Sequence, residues 1–235
     1  MKRYDIMDKI NSLKLDIVNK VKSKFELQQY DINEFESFSY PKYIKVFEFS
    51  VDQYKIENLG NMCILDGRSA LGLSLITVVF TPSRELDIPF VIIDFVEIRN
   101  KSTVFVEFYN EHMTNKDYIK ILDSKLKDKN NYYEFLEDYI EKPNWYVPLR
   151  NKYSPLKKGG KEDKEVLMNM ILDYLDEYLN FVSSTNNEER NLKNIDLEEF
   201  IEDLIVKGNP SSNILKKALG DDGYNRFCRE IIFKY

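Results

Sequence analysis

The stretch that decides the fold is LSLITVVFTPSRELDIPFVIIDFVEIRNKSTVFVEFY, residues 73–109. It predicts three strands, because its apolar runs are rich in β-branched and aromatic residues and are separated by turn residues. Thr81-Pro82-Ser83 ends the first strand, Pro89 precedes the second, and residues 99–102 turn the chain into the third. Connections this short leave no room for a crossover helix, so we expect an antiparallel meander.

Asp94 lies in the middle of the second predicted strand, FVIIDFVEI. Side chains alternate between the two faces of a strand, so Asp94 shares a face with the apolar residues Phe90, Ile92, Val96 and Ile98. Burying a carboxylate costs several kcal/mol unless it is paired or its pKa rises and it holds a proton. Two interpretations therefore stay open: a structural Asp tied to an Arg or to backbone N–H groups, or a proton donor.

Strands dominate the first half of the chain and helices the second half. We predict five or six antiparallel strands between about residues 43 and 109, after a helix over 5–26 and a loop over 30–41. Asp66-Gly67 or the RSALG segment that follows is expected to form the turn before residue 73. Apolar periodicity and capping residues predict the later elements. These are helices at 115–128, 131–140, 162–182 and 195–206, a short helix ending at Gly220, a last helix around 224–232, and an irregular loop over 142–163.

Strands followed by helices are typical of an α+β domain. We expect an α/β/α sandwich with a central antiparallel sheet flanked by helices. A length of 235 residues suits a single domain over 1–235.

Composition and motif searches argue against several functions. The net charge of −6 argues against nonspecific nucleic-acid binding. No apolar run approaches the roughly 20 residues of a membrane span, and the N-terminus is too charged for a secretory signal, which predicts a cytoplasmic protein. Cys63 and Cys228 form no ligand pattern, and the single histidine, His112, predicts no catalytic triad and no multi-histidine metal site. There is also no glycine-rich nucleotide loop.

Two segments resemble ferredoxin-dependent bilin reductases, within the red chlorophyll catabolite reductase-like superfamily. One is VVFTPSRELDIPFVIIDFVEI (78–98), and the other is GNPSSNILKKALGDDGYNRFCREIIF (208–233). Two shorter matches agree in order: YDINEFE (30–36) resembles the family's entry loop, and Trp145 precedes YSPLKK much as a family Trp precedes a basic residue. The chain is therefore similar to the family over nearly its whole length, as a divergent member.

The resemblance implies reduction of a biliverdin-like linear tetrapyrrole that lies between the sheet and the C-terminal helices. It implies no bound cofactor: ferredoxin or flavodoxin supplies single electrons, the bilin holds them as a radical, and the protein supplies protons. Asp94 matches the family's catalytic Asp. A monomer is expected. The net negative charge disfavours docking of an acidic ferredoxin, but a local basic face is expected to offset it, formed by Lys157, Lys158, Lys161, Lys216 and Lys217.

The resemblance also assigns substrate contacts. Lys157 or Lys158 is expected to hold a propionate, with Arg68 as a weaker candidate and with Cys63 and Ile92 as further contacts. Two departures stand out. The family histidine is absent, and Cys63 or a neighbour takes its place. The family's second catalytic Asp aligns with Asn209, which cannot donate a proton as an acid does but can still form hydrogen bonds. A reductase of another conjugated substrate, or a tetrapyrrole-binding protein without activity, therefore stays open.

Overall fold

The computed structural model describes residues 3–185, 195–209 and 211–235. Within them, nine strands form one antiparallel sheet in the order β1-β3-β4-β5-β6-β7-β9-β8, with β2 pairing with β3. Their bounds are β1 Leu27–Gln29, β2 Ser37–Tyr40, β3 Phe47–Ile56, β4 Gly60–Ser69, β5 Leu73–Pro82, β6 Phe90–Ile98, β7 Lys101–Tyr109, β8 Glu137–Asp138 and β9 Leu156–Gly159.

The predicted meander is confirmed. Thr77 of β5 pairs with Asp94 of β6, and Asp94 pairs with Phe105 of β7, all in antiparallel register. The turn between β4 and β5 falls at residues 70–72, as the second of the two alternatives predicted. Asp66 and Gly67 instead lie inside β4, where Gly67 packs against the Phe49 ring.

The helices are α1 Arg3–Lys22, α2 Lys116–Tyr132, α3 Lys164–Ser184, α4 Ile195–Val206 and α5 Ser212–Phe227, followed by a π-helical turn over Cys228–Ile232. Gly220 interrupts α5 with φ 72° and ψ 169°, at the residue where the sequence predicts a short helix to end. Such a positive φ is open to glycine at little cost.

Three local predictions are wrong. The loop expected over 30–41 contains β2, which pairs with β3. The helix expected over 131–140 is the end of α2 followed by β8, and the loop expected over 142–163 contains β9. In each case a short strand is specified by its pairing with a distant strand, which local periodicity does not report.

The sheet has helices on both faces, which confirms the predicted α+β sandwich. On one face, α1, α2 and α3 pack against alternate strand residues such as Ile93, Phe95 and Val104. On the other, α4, α5 and the C-terminal residues pack against Val79, Phe90 and Ile92. Asp94 belongs to this second face, because the side chains of β6 alternate. In the part of the chain that the structure describes, no helix is long and apolar enough to cross a membrane.

Candidate functional site

A cavity of about 690 Å³ separates the second face of the sheet from the C-terminal helices. This volume falls within the range of about 300–1,000 Å³ typical of small-molecule sites. Strands β3 to β7 form its floor, α4, α5 and the chain end form its roof, and residues 139–146 form one side wall. The lining is largely apolar, with a small number of polar side chains on the floor and wall.

Aromatic side chains close one end of the cavity. Phe90, Tyr109 and Phe200 pack together there, with ring centroids 4.7 to 6.0 Å apart. Toward the other end of the sheet, the lining continues to Phe47 and Leu73, next to the β-hairpin turns. The lining therefore extends along β5 from Leu73 to Val79 and across the sheet from β3 to β7.

Asp94 lies near the centre of the cavity floor. Its Oδ1 accepts a hydrogen bond from the Thr77 hydroxyl, directly across the strand pair. Burial raises the pKa of Asp94 to about 6, although the Thr77 hydrogen bond opposes that rise. No Arg or Lys in the described chain forms an ion pair with Asp94, so an Arg-tied structural role is not what the geometry shows. A carboxyl with a pKa near neutrality can exchange a proton with a bound molecule.

Glu107 adds a second carboxyl to the same floor. It lies on β7, is only 7% exposed, and accepts a hydrogen bond from the Arg150 guanidinium. Arg150 also donates to Glu141 at 2.9 Å, and the Tyr146 hydroxyl donates to Glu141 at 3.1 Å. Burial raises the pKa of Glu107 to about 7, opposed by Arg150 and reinforced by the charge of Asp94.

Four of the residues singled out from the sequence line this cavity. They are Asp94, Cys63, Ile92 and Asn209. Cys63 and Cys228, which also lines the cavity, are both free thiols, and burial raises the pKa of the Cys63 thiol. Asn209 has a structural task as well, because its side-chain oxygen accepts hydrogen bonds from the backbone N–H groups of Ser211 and Ser212 at 3.0 and 3.1 Å.

None of the three basic residues predicted to hold a propionate, Lys157, Lys158 and Arg68, lines the cavity. Lys157 pairs with Val104 across β9 and β7, and so extends to the α3 side of the sheet, where its Nζ donates to the Leu136 carbonyl at 3.1 Å and pairs with Asp138 at 2.7 Å. Lys158 pairs with Glu137 at 2.9 Å at the sheet edge.

Arg68 is also occupied away from the cavity. It lies 3.7 Å from Asp66 and donates to Asn11 of α1 at 3.4 Å. The strand register, which the sequence alone did not fix, sends Lys157 and Arg68 to the α1/α3 face.

Sequence reasoning missed Glu107 and Lys142. Glu107 occupies an apolar row of TVFVEFY, so the alternation that exposed Asp94 could also have found it. Lys142 lines the cavity from residues 139–146, is exposed, and has no ion pair with any residue that the structure describes. No sequence signal distinguishes it from the other lysines of this region.

The side wall is anchored to the roof. Trp145 donates its indole N–H to the Gly208 carbonyl at 3.1 Å, and Lys207 lies 4.9 Å from the centre of the Trp145 ring. The segment that carries Glu141, Lys142 and Tyr146 is thus joined to the turn that carries Asn209. Among described residues, no group of three His, Cys, Asp or Glu side chains could hold a metal ion.

Comparison with known proteins identifies the fold. One solved structure, phytochromobilin synthase from tomato in complex with biliverdin, superposes with a TM-score of 0.77, covering 95% of this chain and 82% of that chain. The chain shares its fold. Sequence identity is 12%, so the likeness shows the architecture and not the chemistry. No protein-family model and no curated protein matches the sequence.

Proposed function

We propose that this protein binds a linear tetrapyrrole such as biliverdin in the cavity and reduces it with electrons from ferredoxin or flavodoxin. The observation that carries the proposal is the position of Asp94, a carboxyl with a pKa near neutrality in the floor of a largely apolar cavity. The tomato structure of the same fold contains biliverdin. A conjugated, mostly apolar ligand suits these walls.

Reduction of one double bond consumes two electrons and two protons. The donor protein supplies the electrons singly, so the tetrapyrrole passes through a radical. Asp94 gives its carboxyl proton to the tetrapyrrole and is left as a carboxylate, which must regain a proton before the next transfer. A raised pKa suits both halves of this cycle, because Asp94 is then neither a strong acid nor permanently protonated.

Lys142 is the residue that we assign to the substrate's propionates. Lys142 lines the cavity, and its ammonium group has no ion pair with another described residue. Lys157, Lys158 and Arg68 have partners of their own, described above. An exposed lysine at the rim can hold a propionate without the cost of full burial.

The hairpin edge of the sheet supports an acidic protein as the electron donor. We use this name for the connections at residues 41–46, 70–72, 99–101 and 160–163, which meet at one end of the strands. Five exposed cations lie there without ion pairs to described residues, namely Lys42, Lys45, Arg99, Lys101 and Lys161, against two acidic neighbours, Glu162 and Asp163. Tyr43, Ile44 and Leu71 expose apolar surface between them, 93%, 75% and 72% of their full areas.

The hairpin edge also lies close to the cavity. Phe47 and Leu73, which line the cavity, are the first residues of the strands that leave this edge. Complementary charge steers association, and the local field counts for more than the net charge of −6.

The decisive experiment is an anaerobic absorbance time course with biliverdin, ferredoxin and a reducing system. A spectral shift on mixing, followed by a blue-shifted product once electrons are supplied, is the expected result. Asp94→Asn should keep the first shift and slow the second by about 100- to 10,000-fold, as expected for loss of a general acid. Glu137→Gln, at an exposed site outside the cavity, is the matched control.

A tetrapyrrole-binding protein without reductase activity is the second candidate. It is favoured by Asn209, which holds the turn before α5 through its side-chain oxygen and has no acidic proton. A shift on mixing with no change under reducing conditions, using both ferredoxin and flavodoxin, would select it. Unchanged turnover in Asp94→Asn would instead refute the role of that residue.

A further inference from the structure

Three carboxyl groups and one guanidinium group meet at the β7 side of the cavity. Arg150 contacts Glu107 and Glu141, and its side chain is only 10% exposed. Among the described residues, the hydrogen-bond partner of the Asp94 carboxyl is the neutral Thr77 hydroxyl. One guanidinium cannot compensate three carboxylates, of which Glu107 is buried and Asp94 and Glu141 are partly buried, so this cluster favours keeping a proton.

The strand register places Asp94 and Glu107 within reach of each other. Asp94 pairs with Phe105 and Glu107 pairs with Ile92, so the two carboxyls are diagonal neighbours on adjacent antiparallel strands. Residues in this diagonal relation lie about 7–8 Å apart, so a short chain of water molecules or a bound substrate can connect the two carboxyl groups. Both side chains line the same cavity.

Every element around Glu107 contributes to its environment. Asp94 faces it from β6 and Tyr109 neighbours it on β7. Arg150, Glu141, Lys142 and Tyr146 approach from the side wall, while Tyr224 and Cys228 line the roof. Among these groups Arg150 and Lys142 are the cations, and Lys142 is exposed at the rim. Carboxyl groups therefore still outnumber cations around Glu107 when the groups on every surrounding element are included.

We propose that Glu107 is a second proton carrier of the cavity, which exchanges a proton with Asp94 and binds one from solution when an anionic ligand enters. The inference rests on the proposed function for the identity of that ligand. Asp94 loses its proton to the tetrapyrrole nitrogen, and the Glu107 carboxyl then passes its own proton to the Asp94 carboxylate. Glu107 is left as a carboxylate beside Arg150. A solvent proton restores it along the side wall, past Glu141 and Tyr146.

Proton uptake on ligand binding can be measured without turnover. A ligand with two propionates adds negative charge near Glu107 and Asp94, which further favours their protonated forms. At a pH about one unit above neutrality, binding of biliverdin should therefore take up about one proton per site. Titration calorimetry in buffers of different ionisation enthalpy measures this number directly.

Single substitutions distinguish the contributions of Glu107 and Asp94 to proton uptake. Glu107→Gln should lower proton uptake by at least half while biliverdin still binds, and Asp94→Asn should lower it by a smaller amount. Glu137→Gln should match the wild type. Binding by the wild-type protein with no proton uptake, or uptake unchanged in Glu107→Gln, would overturn the proposal.

Infrared titration of the unliganded protein tests the same group without biliverdin. The expected result is a protonated-carboxyl band that disappears around neutral pH and is absent from Glu107→Gln. Absence of that band in the wild type would overturn the proposal even if biliverdin binds. Failure of biliverdin to bind, with the band present, would refute the proposed function and leave Glu107 as a proton carrier for another anionic ligand.

Discussion

Thr77 and Asp94 lie directly opposite each other on β5 and β6, and the Thr77 hydroxyl donates a hydrogen bond to the Asp94 carboxyl. This hydrogen bond favours the ionised form of Asp94, while burial disfavours it and has the larger effect. The balance between the two sets the pKa of Asp94 at about 6. The pair therefore tunes the acid that we assign to proton transfer.

Thr77→Val should raise the pKa of Asp94 further. Valine has a similar shape but cannot donate a hydrogen bond, so burial would act unopposed. Infrared or NMR titration of the carboxyl groups should then place the titration midpoint of Asp94 about one pH unit higher than in the wild type. Thr81→Val, at a buried threonine four residues further along β5, is the control and should leave that transition in place. An unchanged or lowered pKa in Thr77→Val would contradict this account.

Asp94→Asn should stabilise the folded protein in a pH-dependent way. The folded pKa of Asp94 is raised above its ordinary value, so the native state holds more protons than the unfolded chain between about pH 4 and pH 6. Stability therefore falls as pH rises through that window. The amide carries no charge, so the variant should be more stable than the wild type by up to about 3 kcal/mol above this window.

The stability difference between Asp94→Asn and the wild type should disappear below about pH 4, where the side chain at position 94 is neutral in both proteins. Urea unfolding of the two proteins across a pH series measures it. A stability difference that is constant with pH would show that Asp94 does not titrate in this range.

How far the sequence predicts this molecule depends on the range of the interactions involved. The meander and Asp94 are predictable, because strand alternation and β-propensity act over neighbouring residues. The short strand β9 is not, because Leu156 and its neighbours become a strand only by pairing with Phe105 and the rest of β7. That pairing sends Lys157 to the opposite face from Asp94, away from the cavity in which a propionate contact is predicted.

The candidate site follows the same rule. Asp94 and Glu107 could both be found from alternation, since each interrupts an apolar strand face. The cluster of Glu107, Arg150 and Glu141 joins segments about 40 residues apart, and no local pattern predicts that contact. Asn209 is predicted from the resemblance alone, and its side-chain hydrogen bonds to the backbone N–H groups of Ser211 and Ser212 explain why an Asn or Asp suits this turn for structural reasons.

Lys142→Gln should weaken the binding of biliverdin. If its ammonium group holds a propionate at the cavity rim, its loss should raise the dissociation constant by about 1.5-fold to fivefold, the range expected for an exposed ion pair. Lys158→Gln is the matched control, because Lys158 pairs with Glu137 outside the cavity. Absorbance titration with biliverdin measures both. Weaker binding in the control but not in Lys142→Gln would restore Lys158 as the propionate contact.

Charge reversal at the hairpin edge should slow reduction by a protein donor. The double variant Lys45→Glu and Arg99→Glu replaces two exposed cations beside the apolar residues Ile44 and Leu71. An acidic donor should then associate more slowly, with an increase in KM of about tenfold at low salt that shrinks as ionic strength rises. The dissociation constant for biliverdin, measured without any donor, should stay the same.

The competing surface is the one that carries Lys216 and Lys217 on α5. Lys217 is exposed, whereas Lys216 is half-buried with its ammonium group 4.9 Å from the centre of the Tyr224 ring. The double variant Lys216→Glu and Lys217→Glu should therefore leave KM for the donor nearly unchanged. A larger effect on α5 than at the hairpin edge would move the electron-entry surface to the roof of the cavity, because charge reversal weakens steering most where the donor makes contact.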